Sequence, residues 1–166
     1  MDFIIDAAIQ YLSERSFSEK QLREQLLNDF KGLSDLDSLM NLAIARLKKL
    51  ELINDFRVAE SLTQRFCHKG DSFIKQTLEQ KGISEKIITK ALASIDEESS
   101  RALQEARKKS QTLHAKQNEN LTLLRFLTGR GFSFLAIQFV LRKLTQGEHY
   151  GKDNFLSQNL RQISLF

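Results

Sequence analysis

The 166-residue chain contains no proline and only seven glycines. A turn-rich β-fold needs such residues at its reversals, so their scarcity argues against that class and for continuous helices joined by short corners. A single cysteine, Cys67, excludes an internal disulfide framework and fits a reducing compartment. No window approaches the roughly eighteen consecutive apolar residues of a spanning helix. The start, Met1-Asp2-Phe3-Ile4-Ile5-Asp6, has no basic n-region and no long apolar run, so no signal peptide is expected. A cytoplasmic protein that engages no membrane is the expectation.

Reactive groups are equally sparse. His68, His114 and His149 are scattered, with no carboxylate at a spacing suited to a metal site or a nucleophile–base pair. Cys67 and His68 adjoin on a predicted helix, where neighbouring side chains diverge, and Cys67 reads as a structural small hydrophobe. Gly129-Arg130-Gly131 lacks the rest of a phosphate loop and reads as a helix end. No catalytic residue, metal ligand or cofactor site is expected, and the chain reads as a non-enzyme.

What is present is a repeat. Lys81-Gly82-Ile83-Ser84 is followed by apolar Ile88, Ala91, Leu92 and Ile95, and forty-nine residues on Arg130-Gly131-Phe132-Ser133 is followed by Ile137, Val140, Leu141 and Leu144. Met40, Ala43, Ile44 and Leu47 form a looser third copy behind Lys31-Gly32-Leu33-Ser34. In each corner Gly supplies the left-handed backbone that ends a helix, and Ser is expected to cap the next one. Ile83 with Ile88, and Phe132 with Ile137, stand at hydrophobic-staple positions. The apolar spacing is one face of an α-helix. A fixed period of this length signals stacked helical units.

In chain order, a helix with Ile5, Ala8, Ile9 and Leu12 on one face precedes Ser18, which opens a capping box with Gln21. That next helix buries Leu22, Leu26 and Phe30. The second unit begins with a helix of Phe56, Ala59, Leu62 and Phe66, and Asp71 or Ser72 caps the helix of Ile74 and Leu78. The third begins at Asp96-Glu97-Glu98, acids suited to a helix N-terminus, and continues through Ala102, Leu103, Ala106 and Leu113. The predicted architecture is all-α, three tandem three-helix repeats over 1–54, 55–95 and 96–145 forming a curved, elongated array. A tail, 146–166, carries Leu156, Leu160 and Ile163 at helical spacing.

Charge is graded along the chain. Residues 1–60 hold 8 Lys and Arg against 11 Asp and Glu, whereas residues 61–166 hold 17 against 10. Residues 101–143 alone hold 9 against 2. A basic face suits a polyanion or an acidic protein surface. The candidate contacts are Arg57, Arg65, Lys69 and Lys75 in the second unit and Arg101, Arg107, Lys108, Lys109, Arg125 and Arg130 in the third, with Lys116 extending the basic run. Arg grips phosphates and carboxylates with a planar fork, and the competing reading is a solvated surface. The corners resemble helix-turn-helix junctions, but Phe134, Leu135 and Ala136 after Ser133 cannot read base edges. Any DNA binding is therefore expected to be sequence-neutral.

Asp55-Phe56-Arg57-Val58-Ala59-Glu60, Arg65, Gly70, Ile74, Leu78 and Lys81-Gly82-Ile83-Ser84 together resemble the central repeat of the RecX family. Leu124-Arg125-Phe126-Leu127 and Arg130-Gly131-Phe132-Ser133-Phe134 are similar to its third repeat, and Ser18, Leu22, Leu26 and Gly32 follow the first more loosely. The likeness spans roughly 3–144. It departs at Val58, where an aromatic residue is usual, and at Asp71, where proline is usual. The resemblance implies three three-helix repeats and a monomeric regulator that binds the RecA recombinase filament. That regulator restrains RecA's ATPase, strand-exchange and coprotease activities in DNA repair, recombination and the SOS response. A helical array that binds single-stranded DNA without a RecA target is the alternative.

Overall fold

The computed structural model describes residues 2–112 and 119–146. Leu113, His114, Lys116, His149 and all of the predicted tail beyond Gln146 lie outside the described residues. The described chain forms helices α1 (Asp2–Glu14), α2 (Glu19–Asp29), α3 (Leu36–Lys49), α4 (Asp55–Arg65), α5 (Asp71–Gln80), α6 (Glu85–Leu92), α7 (Glu98–Thr112), α8 (Glu119–Thr128) and α9 (Phe134–Gln146), with no strand among the described residues.

The helices pack in three consecutive triplets, each around its own core. Ile4, Ala8, Leu22, Leu26, Met40, Ala43 and Leu47 fill the first. Ala59, Ile74, Leu78, Ile83, Ile88 and Ala91 fill the second. Ala102, Ala106, Leu123, Leu127, Phe132, Ile137 and Val140 fill the third. The fully buried Ile4, Leu22, Leu26, Met40 and Leu47 contribute on the order of 2 kcal/mol each to the first core. A hydrogen bond between units contributes about 1 kcal/mol. Each core is formed within one triplet, and hydrogen bonds between triplets join them at the junctions.

The corners follow from glycine. Gly32, Gly82 and Gly131 all have positive φ, at +97°, +75° and +77°. The staple residues Ile83, Ile88, Phe132 and Ile137 are buried as expected. Capping is less uniform. Ser18 forms the full reciprocal box with Gln21, and Ser133 Oγ accepts from Ala136 N–H at 3.2 Å. Ser84 makes no side-chain cap bond, and α3 starts from Asp35 in a left-handed conformation rather than from Ser34. Neither Asp71 nor Ser72 caps α5, whose N-cap is Gly70.

Two helix phases also differ from expectation. Ile4, not Ile9, faces the first core, and Ile9 is exposed. In α4, Val58 is buried and Phe56 exposed. Cys67 is exposed in the turn after α4 rather than packed as a core residue.

The two junctions are built alike. At the first, Ser18 Oγ donates to Lys81 O at 2.6 Å, and Asp55 Oδ1 accepts from Glu19 N–H at 2.8 Å. At the second, Gly70 N–H donates to Arg130 O at 2.9 Å, and Glu98 Oε1 accepts from Asp71 N–H at 2.9 Å. In both, the N-terminus of a unit's second helix docks on the carbonyl just before the next unit's corner glycine. An acid from the first residue of the next unit's opening helix supplies the acceptor that the first helical N–H lacks within its own helix.

Candidate partner-binding surface

The second junction gathers most of the candidate residues and divides them into two classes. Arg101 is 4% exposed. Its Nε donates to Asp96 O at 2.7 Å, one terminal nitrogen donates to the carbonyls of Cys67 and Lys69, and the other pairs with Asp71. The carbonyls of Cys67 and Lys69 belong to the turn after α4, so Arg101 clamps the third unit to the second. Arg101, expected among the partner contacts, has its guanidinium taken up by these internal acceptors and shielded from solvent.

Glu98 is the other organiser. Besides accepting from Asp71, it accepts from Ser133 N–H at 3.0 Å through Oε1 and from Ser133 Oγ–H at 2.5 Å through Oε2. One carboxylate thus satisfies the first turn of α5 and the corner before α9. Asp71, half-buried beneath these groups, has its carboxyl pushed above the usual range. Burial is the main cause; Arg101 opposes the shift and Glu98 adds to it.

Around this clamp lie two cation–aromatic clusters. In the second unit, Arg65 lies over the Phe66 ring at 5.7 Å and Lys69 over the Phe73 ring at 5.1 Å. The two rings meet edge-on, 5.5 Å apart. In the third unit, the Phe126 ring has Arg130 at 4.4 Å and Lys109 at 5.7 Å. The clusters touch across the junction: Arg130 donates to His68 O at 3.2 Å, and Phe73 packs where a side chain on Gly131 would otherwise stand. Buried Glu105 links the second cluster, pairing with Arg130 at 3.0 Å and Lys108 at 2.8 Å.

The structure therefore brings Arg65, Lys69, Lys108, Lys109 and Arg130 to one junction. Arg107 and Arg125 are exposed on α7 and α8 of the same unit. Arg57 stands apart, exposed in the first turn of α4, with its backbone N–H bonded to Asn54. Lys75 is occupied by Glu85 at 2.8 Å and Glu79 at 3.9 Å. The Glu85 hydrogen bond and charge raise its pKa, so Lys75 stays protonated but locally neutralised.

Sequence reasoning passed over Glu98, Glu105 and the ring partners Phe66, Phe73 and Phe126 as elements of this surface. Asp55 and Glu98, each the first residue of its unit's opening helix, carried a signal for the junction. No group of three or more His, Cys, Asp or Glu suited to a metal ion occurs among the described residues. No described helix is long and apolar enough to cross a membrane.

No family profile matches the chain. Individual relatives do. It is 31% identical over 151 residues to Regulatory protein RecX of Clostridium perfringens strain 13, covering 87% of this chain and 69% of that one. It is 31% identical over 140 residues to Regulatory protein RecX of Vibrio campbellii, covering 82% and 88%. The crystal structure of RecX from Lactobacillus salivarius superposes with a TM-score of 0.73 at 25% identity, over 87% of this chain and 96% of that one. With the helical triplets, the corners and these relatives in agreement, the chain belongs to the RecX family of regulatory proteins.

Proposed function

We propose that this protein binds the RecA–single-stranded-DNA filament in its helical groove and restrains RecA's ATPase, strand-exchange and coprotease activities. What supports the reading, beyond family membership, is one observation: cation–aromatic clusters from two successive units meet at one junction. Cations held over rings are partly desolvated and pre-positioned, which lowers the ordering cost of binding an acidic surface. Contacts from successive units reach successive protomers, and linked weak contacts raise each other's effective concentration. A body spanning protomers holds them in one orientation, and a filament that changes pitch with each ATP turnover stalls.

Titrating the protein into a RecA–single-stranded-DNA ATPase assay tests this. Inhibition is expected at less than one molecule per protomer, and Arg57→Glu with Arg65→Glu is expected to weaken it while leaving the helical content intact. Full ATPase activity in the presence of excess folded protein overturns the reading. Phe126, with Lys109 and Arg130 against its ring, also favours a second reading. An aromatic flanked by cations suits sequence-neutral stacking of single-stranded bases. DNA binding without RecA, together with an unaffected ATPase, selects that alternative.

A further inference from the structure

The third unit buries a charge at a position where the second has a hydrocarbon side chain. Counted from the first residues of the opening helices, Asp55 and Glu98, the place of Glu105 in α7 corresponds to Leu62 in α4. Leu62 packs on the second core, whereas the Glu105 side chain is a carboxylate only 9% exposed. Burying a carboxylate is costly unless its oxygens are engaged, and the second unit packs without one.

Glu105 is engaged on both oxygens. Lys108 Nζ donates to Oε1 at 2.8 Å, and Arg130 Nη1 donates to Oε2 at 3.0 Å. The two cations differ. The Lys108 side chain is 70% exposed, whereas that of Arg130 is 27% exposed and is held at both ends. The Arg130 carbonyl accepts from Gly70 N–H, Nη1 also donates to His68 O, and the guanidinium lies over the Phe126 ring. Both side-chain hydrogen bonds leave from Nη1. The edge formed by Nε and Nη2 makes none among the described residues. That edge is a planar fork, matched to two coplanar oxygens. At the corresponding corner of the second unit, Lys81 reaches the amide oxygen of Gln21 at 3.4 Å and has no fork to present.

We propose that Glu105 is a positioning residue, which fixes Arg130 against Phe126 so that Nε and Nη2 grip a carboxylate of the recombinase. The inference rests on the proposed binding of the filament, which supplies that carboxylate. A protein carboxylate is favoured over a DNA phosphate because Arg130 already covers one face of the ring on which a base would stack. A guanidinium that is already immobilised loses little further freedom on binding. The competing account is that Glu105 only neutralises nearby cations, and the two differ in sign. Glu105→Gln keeps the shape and removes the charge. Neutralisation makes that variant bind a polyanionic filament more tightly, whereas positioning makes it bind more weakly.

Affinity for RecA–single-stranded-DNA filaments, measured for wild type, Glu105→Gln, Arg130→Gln and the double variant, tests this. Glu105→Gln should weaken binding about tenfold, the worth of one charge-assisted hydrogen bond. In the Arg130→Gln background the same change should have no further effect, because Glu105 acts through Arg130. Binding to bare single-stranded DNA should not weaken. Unchanged or tighter filament binding by Glu105→Gln overturns the proposal, as do additive losses in the double variant. An equal loss on bare DNA overturns the carboxylate as the ligand. A readout without the filament separates the proposal from the functional reading on which it rests. The Arg130 Nε–H resonance should stand apart in wild type and merge with those of exposed arginines in Glu105→Gln, at unchanged far-ultraviolet ellipticity. A resonance that the change does not move also overturns the proposal. Wild-type protein that leaves the filament unbound overturns the functional reading, and the resonance still decides whether Glu105 holds Arg130.

Discussion

Gly70 and Gly131 meet backbone to backbone. Gly70 N–H donates to the carbonyl beside Gly131 at 2.9 Å, and a Cβ on Gly70 would stand 2.0 Å from Gly131 O. Because the obstacle is backbone, no rotamer change relieves it. Gly70→Ala should therefore force the second and third units apart at a cost of about 3 kcal/mol, the upper range for overpacking. Gly32→Ala is the control: nothing lies within 4 Å of its added Cβ, so only the strain of positive φ remains, about 1 kcal/mol. Urea denaturation of the two variants checks the ordering, and an equal loss for both refutes the close-contact account.

Glu98 should behave as a junction residue. Its carboxylate satisfies Asp71 N–H, Ser133 N–H and Ser133 Oγ–H. Glu98→Ala leaves these donors without their partner and should cost about 2–3 kcal/mol. Glu98→Gln retains the size and one acceptor and should cost about 1 kcal/mol. Amide exchange provides the residue-level check: protection should fall first at Asp71 and Ser133 in the Ala variant.

Asp71 supplies a pH test with a definite sign. Its folded-state pKa is raised, chiefly by burial. The stability linked to its proton is fully present below the ordinary carboxylate value and is lost as pH rises through the raised value. Asp71→Asn removes that loss. The variant should gain on the wild type as pH goes from about 4 to 7, the interval over which an upshifted carboxyl ionises. Paired denaturant melts across this range measure the difference. A variant that instead loses ground with rising pH means that Arg101, not burial, governs the carboxyl.

The third-unit cluster should show itself in salt dependence if it meets DNA. Replacing Arg107, Lys108 and Lys109 together with Ala should flatten the log–log salt slope of single-strand binding by roughly 0.7 for each phosphate no longer neutralised. Phe126→Leu keeps an apolar side chain against the core but removes the ring. It should weaken binding about tenfold, within the range measured for one stacked base. Fluorescence anisotropy at several salt concentrations reads both, and an unchanged slope returns these cations to the solvated surface.

The corners and cores were legible because their causes are local: a glycine at positive φ, a staple pair, an apolar stripe. The helix phases of Ile4 over Ile9 and Val58 over Phe56 were not, since neighbouring apolar residues leave the buried one undecided until another helix packs. Arg101 resembled every other cation in its run. Its burial depends on carbonyls of Cys67 and Lys69, more than thirty residues earlier, and no spacing rule reports them. Likewise the chemistry of Glu98 as a helix-terminus acid was visible, but the helix it serves is α5 rather than its own. The surface was legible as charge and only partly as geometry: Lys75 is neutralised by Glu85, a partner on the next helix.

The matching junctions give the array a direction. Each junction joins a plug, the first turn of one unit's second helix, to a socket, the carbonyl before the next unit's corner glycine. Plug and socket are different surfaces, so units join head to tail and pairing alone does not close the series. Among the described residues the Gly32 corner is a socket with no plug, and the space beside its Cα is correspondingly empty. Lengthening such a protein requires no new interface, only another copy of one already in use. A gene duplication that inserted a whole unit would meet compatible ends on both sides.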